Sequence, residues 1–341
     1  MQSGNEQPGP NGIIPDISRI IAFALDYPAC SPVAYVPVEN TKKSILILTA
    51  RPDSFASNRF RQAGKKMGIS VRAIDPAQCM PVITPEENSV RFGGRRLSWP
   101  TSVIPRFGPG NYENGLAILC QLEALEIPVC NTSKGIELAH DTFRSLIALR
   151  HAGMTVPRTA RILSVKDLHV AAKLIPGPPW IMKTFTGAMG IGTMYIGAVD
   201  QLEAVAATLW ALNQPILLQE FVRAKDGKLA DIRALVIGNK VLGAITRRAA
   251  TGEYRANVHR GGAPERIVLK PAEEKLALKA AKAAGLSITG VDWIRTASGP
   301  VVLEVNATPG FSGFEQATEI DVASAILEFA INLINLGKRK K

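Results

Sequence analysis

Residues 44–49, Ser-Ile-Leu-Ile-Leu-Thr, form an unbroken apolar run of strand length, the mark of a parallel strand buried on both faces. A helical stretch over Asn58–Met67, stopped by Gly68, and a second strand over Ile69–Ile74 follow it. Val103-Ile104-Pro105 has the pattern of a strand end, Glu113–Leu125 that of a helix, and Pro128-Val129 that of a short strand. Strands and helices alternating through short connections predict a doubly wound α/β unit of about ninety residues.

The pattern changes in the second half. Ser133 is expected to cap a helix, and Asp141–His151 forms an amphipathic one ended by Gly153. Residues 164–177 give a cap, a helix and a Gly/Pro break. Strands are then predicted at Trp180–Lys183, Ile216–Glu220, Asp231–Ile237, Val241–Thr246, Gly290–Ile294 and Val301–Val305. Helices fall between them at Gln201–Leu212, Pro271–Ala284 and Asp321–Leu336. This half is therefore α+β, with a mainly antiparallel sheet. Residues 1–43 form a Pro/Gly-rich appendage. Its Ile20–Leu25 run and Ala29-Cys30 resemble an export signal, but Glu6, Asp16 and Asp26 disfavour that reading.

Composition narrows the class. The 341 residues favour two domains, and 46% apolar with 20% charged residues excludes collagen, a coiled coil or bulk disorder. No run of membrane-spanning length exists, and a cytoplasmic protein is expected. The cysteines (Cys30, Cys79, Cys120, Cys130) form no CxxC pair and the histidines no HExxH, so zinc and haem readings drop out. A net charge of +11, four units of it from the tail Lys338–Lys341, favours an anionic partner: nucleotide phosphate, acidic peptide or nucleic acid.

Two features carry chemistry. In Lys183-Thr-Phe-Thr-Gly187-Ala-Met-Gly190-Ile-Gly192-Thr193 a lysine ends an apolar strand and three glycines follow. Glycines let backbone N–H groups approach phosphate, and the lysine adds a point charge. A plain glycine hairpin is the alternative, since neither a Walker A loop nor GxGxxG fits. The second feature is Asp292 on one strand with Glu304 and Asn306 on the next. Glu304 and Asn306, two apart on a strand, share a face that Asp292 can join. Two carboxylates and an amide oxygen suit Mg²⁺. A solvent-facing polar hairpin is the alternative, disfavoured by the apolar strands around it.

The sequence resembles the RimK-type ATP-grasp ligases, the ribosomal protein S-six glutamate ligase family, from residue 44 to 336. The resemblance rests on Val103-Ile-Pro-Arg106, Gln219-Glu220-Phe221, Asp231-Ile-Arg233, Arg255-Ala-Asn257-Val-His259-Arg260-Gly261-Gly262, Gly290-Val-Asp292 and Glu304-Val-Asn306-Ala-Thr-Pro309-Gly310, in order. It implies an ATP-grasp fold with an N-terminal doubly wound α/β (pre-ATP-grasp) domain over 44–131. An ATP-grasp domain over 132–337 would follow, in subdomains of about 132–218 and 219–337, flanked by the 1–43 extension and the 338–341 tail.

The resemblance also implies roles. Lys183 would contact the nucleotide, and the loop with Gly187, Gly190 and Gly192 would close over its phosphates. Glu220 and Phe221 would read adenine through their backbone, with Asp231 beside the nucleotide. Arg255, Ala256 and Asn257 would reach the γ-phosphate region. Asp292, Glu304 and Asn306 would hold two Mg²⁺ or Mn²⁺ ions. Arg233 and Arg247 are candidates for the acyl phosphate or a substrate carboxylate, with surface salt bridges as the alternative. ATP would activate an acceptor carboxylate as an acyl phosphate, and the amine of L-glutamate would displace phosphate. The implied partners are L-glutamate and an acidic peptide or ribosomal protein acceptor, without direct nucleic-acid binding, in a homo-oligomer. Small glutamyl peptides or free poly-α-glutamate are alternative products, and a non-catalytic RNA- or ribosome-binding protein is the rival class. One departure is Thr142, where the family commonly has lysine after Asp141; Arg144 is a candidate substitute. Another is a slightly longer segment between Glu220 and Asp231.

Overall fold

A computed structural model describes residues 43–184, 192–227, 229–248 and 264–338. The first unit opens with β1 (Ser44–Leu48), α1 (Phe55–Lys66) and β2 (Ser70–Ile74), followed by β3 (Cys79–Ile83), β4 (Asn88–Phe92) and β5 (Arg95–Arg96). It continues through β6 (Ser102–Pro105) and α2 (Tyr112–Ala124), and α3 (Ser133–His140) and α4 (Thr142–His151) lead out of it. Strands β2-β1-β6 make a parallel sheet, and Val129 bridges to Val103 beside β6. Ile45 and Ile47 pack on one face with Phe60 of α1, while Leu46 and Leu48 pack on the other with Ile118, Leu119 and Leu122 of α2. The all-apolar β1 is thus buried on both sides, as its sequence predicts.

The antiparallel sheet β3-β4-β5 has no counterpart among the strands that the sequence pattern predicts. Its strands lack clean alternation, leaving Ile83 and Met80 exposed. The cap of α3 also differs by one residue. Thr132 accepts from the Gly135 N–H at 3.2 Å, while Ser133 is the first helical residue and binds Glu123.

Further along lie β7 (Thr159–Ile162), α5 (Val165–Leu174), β8 (Trp180–Thr184), β9 (Thr193–Ile196), α6 (Val199–Ala211) and β10 (Ile216–Glu220). They build a four-stranded antiparallel sheet, β7-β10-β8-β9, with Met182, Ile216 and Leu218 packed among side chains of α5 and α6. Next come β11 (Ala230–Ile237), β12 (Lys240–Arg248), β13 (Pro264–Ile267), α7 (Pro271–Ala283), β14 (Ile288–Thr296) and β15 (Gly299–Asn306), then α8 (Ser312–Thr318) and α9 (Val322–Lys338). These strands form a sheet in the order β13-β12-β11-β14-β15. None of the described helices is long and apolar enough to cross a membrane.

The two faces of that five-stranded sheet differ. Ile232, Ala234, Val236, Val291 and Trp293 lie under α4 and α7. The opposite face is split along its length. Leu235, Ile237 and Ile288 join the apolar cluster of α8 and α9, which also contains Ile45, Ile47 and Phe60. The other end of that face carries charge. Helix α9 therefore lies against both the parallel sheet and the five-stranded sheet, excluding water between them.

One buried amide ties these sheets at the site's edge. Asn131, 1% exposed, donates to the carbonyls of Ile288 (2.7 Å) and Ala307 (2.8 Å). Its Oδ1 accepts from the N–H groups of Ser287 and Ile288, at 2.7 and 2.8 Å. All four bonding positions of the side chain are filled, between the start of β14 and the end of β15. Asn131→Ala is expected to cost about 3 kcal/mol or more, because buried backbone groups lose partners that water cannot replace. Denaturant unfolding would measure it.

Candidate functional site

The charged end of the five-stranded sheet is built by register. On β11, Asp231, Arg233, Leu235 and Ile237 alternate onto one face, the first two polar and the last two buried. Arg233 stands opposite Asp292 of β14, and Asp292 opposite Glu304 of β15. Gly290 stands opposite Asn306. Asp292, Glu304 and Asn306 therefore share a face.

Two β-bulges decide which side chains reach it. From the β14–β15 turn, pairing runs Thr296–Gly299 to Trp293–Val302, then shifts so that Asp292 meets Glu304. Leu303 is the extra residue. Without it Asp292 would face Leu303, and Glu304 would point to the apolar side. The β11–β12 hairpin repeats the device. Its register shifts between Leu235 and Val236, which brings Arg247 opposite Asp231 in place of Thr246.

The resulting ion network is dense. The Arg233 Nε donates to Asp292 Oδ1 at 2.7 Å and its NH2 to Oδ2 at 2.5 Å. Arg247 forks onto Asp231 at 2.7 and 2.6 Å and reaches Asp292 Oδ2 at 2.7 Å. Arg233 also lies 3.7 Å from Glu304. Asp292 is 1% exposed and Arg247 4%. Burial would raise the Asp292 pKa, but Arg233 and Arg247 outweigh it and hold the carboxyl below the usual range. Burial works against charge on Arg247 too, and the carboxylates of Asp292 and Asp231 overcome it, so its pKa is raised.

Glu304 behaves oppositely. Its carboxyl stands beside that of Asp292, directly across the β14–β15 pair. Desolvation, then the Asp292 charge, pushes it above the ordinary range, although 46% of the side chain stays open to the cleft. Two carboxyls this close repel unless a proton or a cation lies between them. The Asn306 Oδ1 accepts from the Thr308 N–H at 2.9 Å, which fixes the amide beside them. This hard-oxygen set, with one carboxyl open to solvent and reluctant to ionise alone, fits a divalent cation that keeps some of its water. Among the described residues no group of three or more His, Cys, Asp or Glu comes together; the third oxygen of this set belongs to an amide.

Lys183 lies on β8 of the four-stranded sheet, opposite Leu217 of β10. Met182 beside it packs into the α5–α6 core, so alternation turns Lys183 the other way. Burial lowers its pKa, while Glu304 and Asp292 pull it back up, which puts its ammonium near the acidic pair. Gly192 closes the base of the β8–β9 hairpin. Its φ is +79°, its carbonyl accepts from the Thr184 N–H at 3.0 Å, and a Cβ would lie 2.1 Å from the Thr184 hydroxyl. The hairpin thus needs glycine there for its own conformation. At the end of β10 the Glu220 carboxylate accepts from the Arg158 N–H at 3.0 Å, and Phe221 packs edge-on against Tyr195. Gly187, Gly190, Arg255, Ala256 and Asn257 lie outside the described residues.

The family model described as the RimK-like ATP-grasp domain matches residues 139–330. The chain belongs to the RimK-type ATP-grasp family. The RimK PreATP-grasp domain matches residues 44–136, covering the parallel sheet. A "Probable alpha-L-glutamate ligase 2" of Pseudoalteromonas atlantica is 37% identical over 287 residues, 84% of this chain and 95% of that protein. A "Probable alpha-L-glutamate ligase 1" of Shewanella denitrificans is 36% identical over 294 residues, 86% of this chain and 99% of that one. Among solved structures, a RimK domain ATP-grasp protein from Sphaerobacter thermophilus superposes with a TM-score of 0.66 at 21% identity, covering 84% of this chain and 99% of that one. D-alanine–D-alanine ligase from Bacillus anthracis, complexed with ATP, gives 0.61 at 18% identity, with 88% and 100% covered. These two establish the fold: an ATP-grasp ligase architecture behind a pre-ATP-grasp domain.

Set against the RimK pattern, Arg233 and Arg247 are both engaged as counter-ions of Asp292 and Asp231. They are not surface pairs: Arg247 is buried. Asp141 caps α4 through the Arg144 N–H at 3.0 Å, and the Arg144 guanidinium meets Glu137 at 3.4 Å on the exposed side. Thr142 accepts from the Ser145 hydroxyl through its carbonyl. The anchoring by Asn131 had no signal in the sequence, because its partners lie 156 to 176 residues away.

Proposed function

We propose that this RimK-type ligase joins L-glutamate to the C-terminal carboxylate of a peptide or protein, with ribosomal protein S-six as acceptor, using Mg·ATP. The observation carrying the reading is the convergence of Asp292, Glu304 and Asn306 on one face of the sheet, with Lys183 within electrostatic reach of the two carboxyls. The names borne by the relatives supply the glutamate. The net charge of +11 suits an acceptor that grows more acidic with each addition. The free thiols of Cys79, Cys120 and Cys130 support a reducing, cytoplasmic setting.

In this mechanism an acceptor carboxylate oxygen attacks the γ-phosphorus, the bond to ADP breaks, and an acyl phosphate forms. The glutamate amine then attacks the acyl carbon, phosphate leaves, and the amine gives up a proton. Asp292, Glu304 and Asn306 would hold Mg²⁺ or Mn²⁺, as two ions, neutralising the charge of the transferring phosphoryl group. Lys183 would hold phosphate, Glu220 and Phe221 the adenine edge, Asp231 the nucleotide's flank, and residues 187–192 and 255–257 the phosphates. Arg233 and Arg247 act as positioning residues: their guanidinium groups fix the Asp292 carboxylate and keep it ionised. No side-chain nucleophile is needed, since positioning and charge neutralisation do the work.

Incubation with Mg·ATP, L-glutamate and purified S-six should release ADP and lengthen the acceptor in mass steps of one glutamyl residue. ADP release with glutamate alone would move the reading to free poly-α-glutamate. Absent turnover with any acid, together with salt-sensitive RNA binding, would replace it with a binding module.

A further inference from the structure

The Val103–Arg106 motif has no part in the chemistry above, yet Arg106 occupies a distinctive place. The parallel sheet runs β2-β1-β6, so the chain leaves β1 toward β2 on one side and returns to β6 on the other. The carboxyl ends of β1 and β6 therefore flank a topological switch point, where open α/β sheets bind ligands. Arg106 is the residue after β6, its N–H bonded to the Leu48 carbonyl at 2.7 Å. Helix α1 begins at the same edge, capped by Ser54.

Its surroundings tie it to the reaction cleft. One NH2 donates to the Pro309 carbonyl at 3.0 Å, in the loop that leaves β15 just after Asn306. The guanidinium lies 5.8 Å from the Phe60 ring and 5.5 Å from that of Phe311. Pro309 in turn packs against Gly290, next to the Arg233 side chain.

What distinguishes Arg106 is its lack of a counter-ion. Arg59, Arg233, Arg247 and Arg295 each hold a carboxylate within 2.7 Å. Among the described residues Arg106 has no acidic partner, and burial pushes its pKa down to about 10, still charged at neutral pH. A guanidinium has five donors in a fork matched to carboxylate, and desolvating it without an anion is costly.

We infer that Arg106 is the docking cation for a substrate carboxylate, which completes the ion pair this edge of the sheet lacks. The inference rests on the ligase reading, under which both organic substrates are acids. The carboxylate belongs either to the amino-acid donor or to the acceptor peptide.

The test is equilibrium titration of the full chain with L-glutamate and, separately, with a peptide ending in Glu-Glu. Both are run with Mg²⁺ and a non-hydrolysable ATP analogue. Arg106→Met should weaken one of the two by about tenfold or more, leaving nucleotide affinity within about twofold of wild type. Loss confined to glutamate assigns the donor, and loss confined to the peptide assigns the acceptor. The matching carboxamide ligand should bind wild type and variant alike. The inference is overturned if Arg106→Met binds both acids as wild type does, if wild type binds neither, or if nucleotide affinity falls in step. Should Arg106→Met not fold, Arg106→Lys decides by the same readings, since it keeps the charge and loses the fork. The ligase reading fails separately, by absence of ADP release in full turnover.

Discussion

Glu304→Gln is expected to lower kcat by at least about two to three orders of magnitude while the protein stays folded. The amide keeps the shape and one oxygen, but would no longer offer a negative ligand to the proposed divalent ion. Stability should hold or rise slightly without metal, because Glu304 is the strained partner of its pair: burial and the Asp292 charge both oppose its ionisation. ADP release, Mg²⁺ titration and the unfolding midpoint, measured on one preparation, separate these effects. Unchanged turnover would remove Glu304 from the ion-binding set.

Asp292→Asn should behave differently, although it lies on the same face and belongs to the same proposed set. Asp292 is 1% exposed and receives Arg233 and Arg247 at 2.5 and 2.7 Å. Neutralising it leaves two guanidinium groups short of a buried counter-charge. Breaking a buried pair from one side costs about 3–5 kcal/mol, so a clear drop in unfolding midpoint should accompany the loss of activity. The contrast tests the electrostatic account: one carboxylate is held ionised by two arginines, and its neighbour is pushed toward neutrality. Equal stability loss in both variants would contradict it.

Much of this arrangement was legible along the chain. The apolar run at 44–49 announced a strand buried on both faces, and Glu304 and Asn306, two apart, announced a shared face. The ordered motifs from Val103 to Gly310 point to the RimK type from local sequence alone. Weaker segments were not legible. Strand β9 is four residues long, as are β7 and β13, too short for a periodic pattern to stand out. The sheet β3-β4-β5 leaves apolar side chains in solvent, so its pattern does not mark an inside.

Local sequence determined the alternation on each strand, because side-chain direction along extended backbone follows from stereochemistry alone. It could not determine which strand's residues met. Two single-residue bulges, at Leu303 and in the β11–β12 hairpin, turn Glu304 and Arg247 onto the face of Asp292. A bulge is set by what both sheet faces must bury: Val302 and Val305, three apart on β15, both pack under α4 and α7 with Trp293 and Val291 only because one residue is bulged between them. The same holds for Arg233, Arg247 and Asn131. Their partners are chosen by sheet order and by the packing of α9 between sheets, long-range contacts that no local pattern encodes.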